Sequence, residues 1–285
     1  MSEPPRPHRP VTARPRTDPV GEEVPPPSSP ELEGIESGLV RLVELAGAGR
    51  VDDPELHASL LTWPGRGPAF NHAARPRWSD LDLAASAGAV ARRLRSIGES
   101  PCVVIADGLA TPTDLGTRLL ADGWLAAGGE QIMWTRRATV VPHLDLDLRL
   151  EAVTSTGIDE YEAIERTIFG ISSSERDDRR ATLGDSVGRG VIRAYLVRLG
   201  GQPVATGRLL VEGGLAVAHG LGVLPEHRRR GLGGYLTTIV TRAGLALGGS
   251  LVWLSVDPDN LAAVQLYSSL DYRPAFRWHR LLGIA

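Results

Sequence analysis

The stretch Val223-Leu224-Pro225-Glu226-His227-Arg228-Arg229-Arg230-Gly231-Leu232-Gly233-Gly234 sets three arginines against a glycine-rich turn. An apolar run from Leu215 to Val223 precedes it, and Leu232, Leu236, Ile239, Val240, Ala243 and Leu247 follow at helical spacing. A strand, a glycine turn and a helix that starts inside the turn describe an anion cradle. Free N–H groups at the helix start, reinforced by the dipole, hold phosphate oxygens, and glycine lets the ligand approach the backbone. Arginines beside such a turn suit a pyrophosphate or a 3′-phosphate. The order Gly231-Leu-Gly233-Gly234-Tyr-Leu236 lacks the third glycine of the dinucleotide pattern, and no acidic strand end follows. A dinucleotide is therefore not expected.

A second segment lies downstream, Asn260-Leu-Ala-Ala263-Val-Gln-Leu266-Tyr267-Ser-Ser-Leu270-Asp271-Tyr272. With the Val-x-Pro lead-in and the Arg-x-x-Gly-x-Gly turn, it resembles the GNAT family of N-acetyltransferases over about residues 148 to 285. Two motifs in the right order, each on the right element, are more specific than either alone. Asp271 stands where that family usually has glycine, a position that wants a left-handed residue, which Asp tolerates better than most.

The resemblance implies an α/β (α+β) fold, a central mixed sheet flanked by helices, and acetyl-CoA as co-substrate without a metal. It implies that the N–H groups of Arg229, Arg230, Gly231, Leu232, Gly233 and Gly234 hold the pyrophosphate, with Arg228 at the signature position. Leu221, Gly222 and Val223 would pair with the pantetheine arm and supply an oxyanion donor. Asn260 is read either as a contact to that arm or as a helix cap. Tyr267 matches the proton donor to the CoA sulfur, and His219 sits where relatives carry a base. The acceptor is a small-molecule or peptide amine.

Composition bounds the rest. At 285 residues and 42% hydrophobic content the chain builds a real core, and a net charge of −3 with dispersed basic residues argues against nucleic acid. All 31 basic residues are arginine, which excludes a P-loop, a pyridoxal Schiff base and a protein kinase, since each needs a lysine. A single cysteine, Cys102, excludes an internal disulfide and a thiolate metal cluster, and the scattered histidines form no metal motif. No apolar run reaches membrane-spanning length and no signal peptide is evident, so a cytoplasmic protein is expected, with no membrane partner. A homodimer stays open as an alternative to a monomer.

Residues 1–30 are proline-dense and expected to be disordered. Residues 31–140 read as an N-terminal α/β unit: a helix around Ile35 to Leu45, then a helix, Cys102 to Ala106 as a buried strand, a short helix with Pro112 in its first turn, and a strand near Gly123 to Thr135. Gly123-Trp124 faintly echoes Asp271-Tyr272, which points to a degenerate second copy of the same fold, without the Arg-x-x-Gly-x-Gly turn. The boundary is expected within 136–147, and the catalytic unit spans 148–285. In it, Ile158, Tyr161, Ile164 and Ile168 should form the inner face of a helix. Glu175, Asp177 and Asp178 would attract a cationic amine unless Arg176, Arg179 and Arg180 neutralise them.

Two other functions compete. A non-catalytic CoA sensor would keep the turn and lose the acceptor pocket. A serine hydrolase would use Gly184-Asp185-Ser186-Val187-Gly188 with Asp257 and His279, but that motif lacks its strand-to-helix context.

Overall fold

The computed structural model describes residues 24–172 and 176–284. The expected disorder of residues 1–30 therefore falls mostly outside the described residues. From Val24 onward the chain is packed: Val24 is buried, and helix α1 (Ser29–Leu45) begins just before the anticipated boundary. Ile35 and Leu39 on α1 are buried, each contributing about 1.5–3 kcal/mol, and Gly47 ends the segment as expected.

Three strands follow that periodicity had not separated, β1 (Gly49–Asp53), β2 (Ala58–Thr62) and β3 (His72–Ala74). They are three to five residues long, too short for an alternating pattern to stand out. Helix α2 (Leu83–Arg95), strand β4 (Cys102–Ala106), helix α3 (Leu115–Ala121) and strand β5 (Leu125–Thr135) then reproduce the expected α-β-α-β order. Pro112 is a correction. It follows a cis peptide bond and lies ahead of α3, because Thr111 is held extended in a bridge to Arg77.

The second half runs β6 (Leu148–Ala152), α4 (Ile158–Phe169), α5 (Arg176–Gly188), β7 (Ile192–Leu199), β8 (Gln202–Glu212), β9 (Leu215–Val223), α6 (Leu232–Ala246), β10 (Val252–Val256), α7 (Leu261–Ser269) and β11 (Arg273–Leu282). Asp271 adopts the left-handed conformation, φ 68°, that its place after a helix requires.

All these strands belong to one mixed sheet in the order β1-β2-β3-β4-β11-β5-β10-β9-β8-β7-β6. The order shows an exchange. Strand β5, from the first half, lies between β10 and β11, and β11, from the second half, lies between β4 and β5. The expected division at 136–147 thus marks where the chain crosses over, while the backbone hydrogen bonds tie both halves into one sheet.

One face of the second half carries α6 and α7 over Ala216, Ala218 and Leu254; the other carries α1, α4 and α5. Helix α1 reaches across from the first half and lies close on this sheet. A Cβ on its Gly38 would stand 2.7 Å from the Trp253 ring, so a larger residue would lift the helix.

Candidate acyl-CoA site

Strands β9 and β10 are parallel but pair only at Ala216 with Val252 and Val217 with Trp253. Beyond that point they part, while β9 stays paired to β8 as far as Val223 and β10 to β5 as far as Val256. A bulge in β9, where Gly220 and Leu221 lie opposite Gly207 alone between the Thr206–Gly222 and Arg208–His219 pairs, with Gly220 at φ 60°, turns β9 at the start of the opening. The parted strands leave one edge of residues 218–223 without a strand partner.

The opening is a cleft of about 540 Å³ that runs from the start of α6 to Tyr267. Leu221, Gly222, Val223, Arg228, Arg229, Gly231, Leu232, Gly233, Gly234, Asn260 and Tyr267 all line it. At its mouth the chain takes a one-turn 3-10 helix, Pro225–His227, then left-handed conformations at Arg229 (φ 59°) and Gly231 (φ 80°) before α6 begins. Gly231 needs that freedom, since a Cβ there would meet Leu144 at 2.8 Å as well as adopt an unfavourable φ. Among the described residues, the backbone N–H groups of Arg229 to Gly234 find no acceptor; the first bonded amide of the helix is Tyr235, to Gly231 O at 3.0 Å. Six unpaired donors at a helix start make a strong anion site.

The arginines divide. Arg228 donates from Nε to the Val223 carbonyl at 3.1 Å, bracing the strand end. Arg229 lines the cleft. Arg230 does not; its side chain turns to His227 Nδ1 at 3.4 Å in solvent, so only its backbone N–H belongs to the cradle. Asn260 caps α7, its Oδ1 accepting from Ala263 N–H at 3.2 Å, and also lines the cleft, which leaves its side-chain NH2 for a ligand.

Tyr267 is 8% exposed and tilted against Tyr272 at 6.0 Å. Among the described residues its hydroxyl has no hydrogen-bond partner, and burial pushes its pKa up to about 12. It therefore stays protonated and faces the cleft as a donor.

His219 is brought elsewhere. It lies on the α4–α5 face of β9, in a separate cavity beneath α1 and α5, and does not line the cleft. Burial first, and the Arg208 guanidinium second, push its pKa down to about 3.

Helix α4 departs from its expected face. Ile158 and Tyr161 are buried as anticipated, but Glu162 and Glu165 are buried with them, while Ile164 and Ile168 are only partly covered. The carboxylates are drawn in by partners: Glu162 by Arg166 at 3.0 Å, Glu165 by Arg179 at 3.0 Å and by Arg208. Ile168 and Phe169 instead roof the cleft over Gly222, a role that a stripe of apolar residues at a helix end did not reveal. Among the described residues the charge run also pairs outward, Asp178 with Arg66 and Arg180 with Asp159. Glu175 lies outside the described residues. Ser186 is 2% exposed inside α5, with no strand ahead of it, which removes the hydrolase elbow.

The first half has its own β-α-β arrangement in β3, α2 and β4, whose strands pair at Ala73 with Val103 and Ala74 with Val104. Past the strand ends, Trp78 N–H donates to Thr111 O at 2.8 Å and Thr111 N–H to Pro76 O at 3.2 Å, and the Trp78 ring is fully buried.

Residues 158–272 match the model of the Acetyltransferase (GNAT) family. Among solved structures, a GCN5-related N-acetyltransferase from Kribbella flavida is similar at TM-score 0.68 and 19% identity, covering 90% of this chain and 95% of that one. A tandem GNAT protein from the clavulanic acid biosynthesis pathway gives 0.60 and 17%, covering 79% and 78%. A GNAT-family acetyltransferase from Colwellia psychrerythraea gives 0.56 and 12%, covering 80% and 81%. These likenesses establish the fold. No curated protein matches the sequence. Among the described residues no helix is long and apolar enough to cross a membrane.

Proposed function

We propose that the chain is an acetyl-CoA-dependent N-acetyltransferase working from the β9–β10 cleft. The observation that carries this reading is the set of six unpaired N–H groups from Arg229 to Gly234, at the mouth of a cleft that ends at the Tyr267 hydroxyl. These amides hold the pyrophosphate of the donor. The free edge of Leu221 to Val223 and the Asn260 side-chain NH2 orient the pantetheine arm, and a β9 N–H polarises the thioester carbonyl.

In the reaction the amine nitrogen bonds to the acetyl carbon, the C–S bond breaks, and the nitrogen loses one proton as the sulfur gains one. Tyr267 donates a hydrogen bond to the sulfur as charge builds there. A phenol near 12 gives up its proton to a thiolate near 8.5 only uphill, so its contribution is charge stabilisation, with final protonation from solvent. His219 is too weak a base to deprotonate an ammonium group near 10. The amine enters neutral, and His219 serves in holding the acceptor. The first half contributes β5 and the α1 wall.

The test is release of CoA thiol from acetyl-CoA with and without a panel of amines. Amine-dependent release supports the reading. Tight binding with no turnover on any amine favours a CoA sensor instead.

A further inference from the structure

The cavity that contains His219 measures about 140 Å³ and is walled by Arg208, Arg179, Thr182 and, from α1, Leu42 and Leu45. One water needs roughly 10–15 Å³ by this kind of measure, so the space admits several heavy atoms.

Its charges do not balance. Arg208 and Arg179 both donate to one oxygen, Oε2 of Glu165. Arg208 also donates from Nε to the Tyr161 hydroxyl at 3.2 Å. Two guanidinium groups share one carboxylate, where Arg208 is 15% and Glu165 4% exposed. Arginine does not deprotonate in a protein, so among the described residues one positive charge is in excess. The nearby acids are engaged elsewhere, Glu162 with Arg166 and Asp178 with Arg66. Two nitrogens in this region, His219 Nε2 and Arg179 Nε, are buried without a hydrogen-bond partner among the described residues. Leaving such groups unpaired costs roughly 1–3 kcal/mol each. A monoanion with two acceptor oxygens answers both the charge and the unpaired groups.

The cavity also adjoins the reacting end of the cleft. Gly220 separates His219 from the cleft-lining Leu221, and a Cβ on Gly220 would stand 3.2 Å from Glu165 Oε1 and 3.7 Å from Arg208 Cδ. Along a strand, one residue is about 3.3 Å, so the Arg–His cluster lies a few bonds from where the thioester would rest.

We propose that this cavity receives a carboxylate of the acceptor, so that the acetylated substrate is an amine bearing a carboxylate a few bonds from its nitrogen, an amino-acid-like molecule. Bidentate contact with Arg179 and Arg208 fixes the anion, and His219 adds a hydrogen bond. The α1 wall, supplied by the first half, closes the pocket. This inference rests on the acetyltransferase reading and adds the substrate class.

The experiment compares acceptors in matched pairs, each amino acid against its carboxamide, with acetyl-CoA saturating. A charge-assisted contact of this kind makes kcat/KM for the acid about 10- to 100-fold higher than for the amide. Arg179→Gln, at a side chain 27% exposed, should bring that ratio close to one while acetyl-CoA affinity holds. Amides that serve as well as acids, or a ratio that survives Arg179→Gln, overturn the proposal. A second readout needs no turnover: the imidazole resonance of His219 is titrated with acetate. A saturable shift that Arg179→Gln abolishes supports the site, and the absence of any shift overturns it, even if no acceptor on the panel reacts. Failure of acetyl-CoA itself to bind would instead sink the acetyltransferase reading, so the two failures are told apart.

Discussion

Replacing Tyr267 with phenylalanine removes one oxygen and leaves the ring in place against Tyr272. Because the hydroxyl has no partner among the described residues, its loss takes no hydrogen bond from the fold, and the change in stability should stay within about 0.5 kcal/mol. If that hydroxyl donates to the sulfur as negative charge develops, the lost interaction is a charge-assisted hydrogen bond of about 1.5–3 kcal/mol, and kcat should fall about 10- to 150-fold. The interaction forms only with the transition state, so KM for acetyl-CoA should barely move. The assay is CoA thiol release under saturating amine, with thermal unfolding measured on the same preparation. An unchanged kcat refutes the donor role. A loss of activity that tracks a lowered Tm would instead make Tyr267 a core residue.

Three further outcomes follow from the structure. Gly233→Leu, whose Cβ already stands 3.1 Å from Leu266, should crowd the cradle and abolish acetyl-CoA binding by calorimetry, with circular dichroism unchanged. His72 is 1% exposed, its Nδ1 lies 3.0 Å from the Pro68 carbonyl, and Arg280 is nearby; burial first pushes its pKa down to about 4. The unfolded chain therefore binds this proton and the folded chain does not between about pH 6.5 and 4, so stability should be full above 6.5 and fall on acidification by up to about 1.4 kcal/mol per pH unit; the corresponding urea series with His72→Gln should show a shallower acid limb. Expressing residues 142–285 alone omits β5, which pairs both β10 and β11, and exposes two strand edges. That fragment should aggregate, and co-expression with residues 1–141 should rescue it.

The glycine turn was legible because its pattern is local: glycines, a helix period and a strand within one stretch of chain. Leu221 to Val223, Arg228, Arg229 and Gly231 to Gly234 lie on one stretch of backbone, and the structure brings them with Asn260 and Tyr267 to one cleft. The exchange of β5 and β11 was not legible, since pairing partners more than a hundred residues apart leave no periodic mark in either strand. His219 reads as a base from its place on β9; its burial, and secondly the Arg208 guanidinium, lower its pKa and speak against that role. Glu162 and Glu165 carried a signal that periodicity misread. Two acids four residues after Ile158 and Tyr161 fall on the buried stripe of α4, and buried acids require partners, here arginines of the same helix, α5 and β8.

Calorimetric titration of the purified protein with acetyl-CoA tests the central claim most directly. Saturable one-to-one binding, weakened by salt and retained with free CoA, is the result the N–H cradle predicts. Absence of binding at high micromolar acetyl-CoA, with the protein folded, would contradict it.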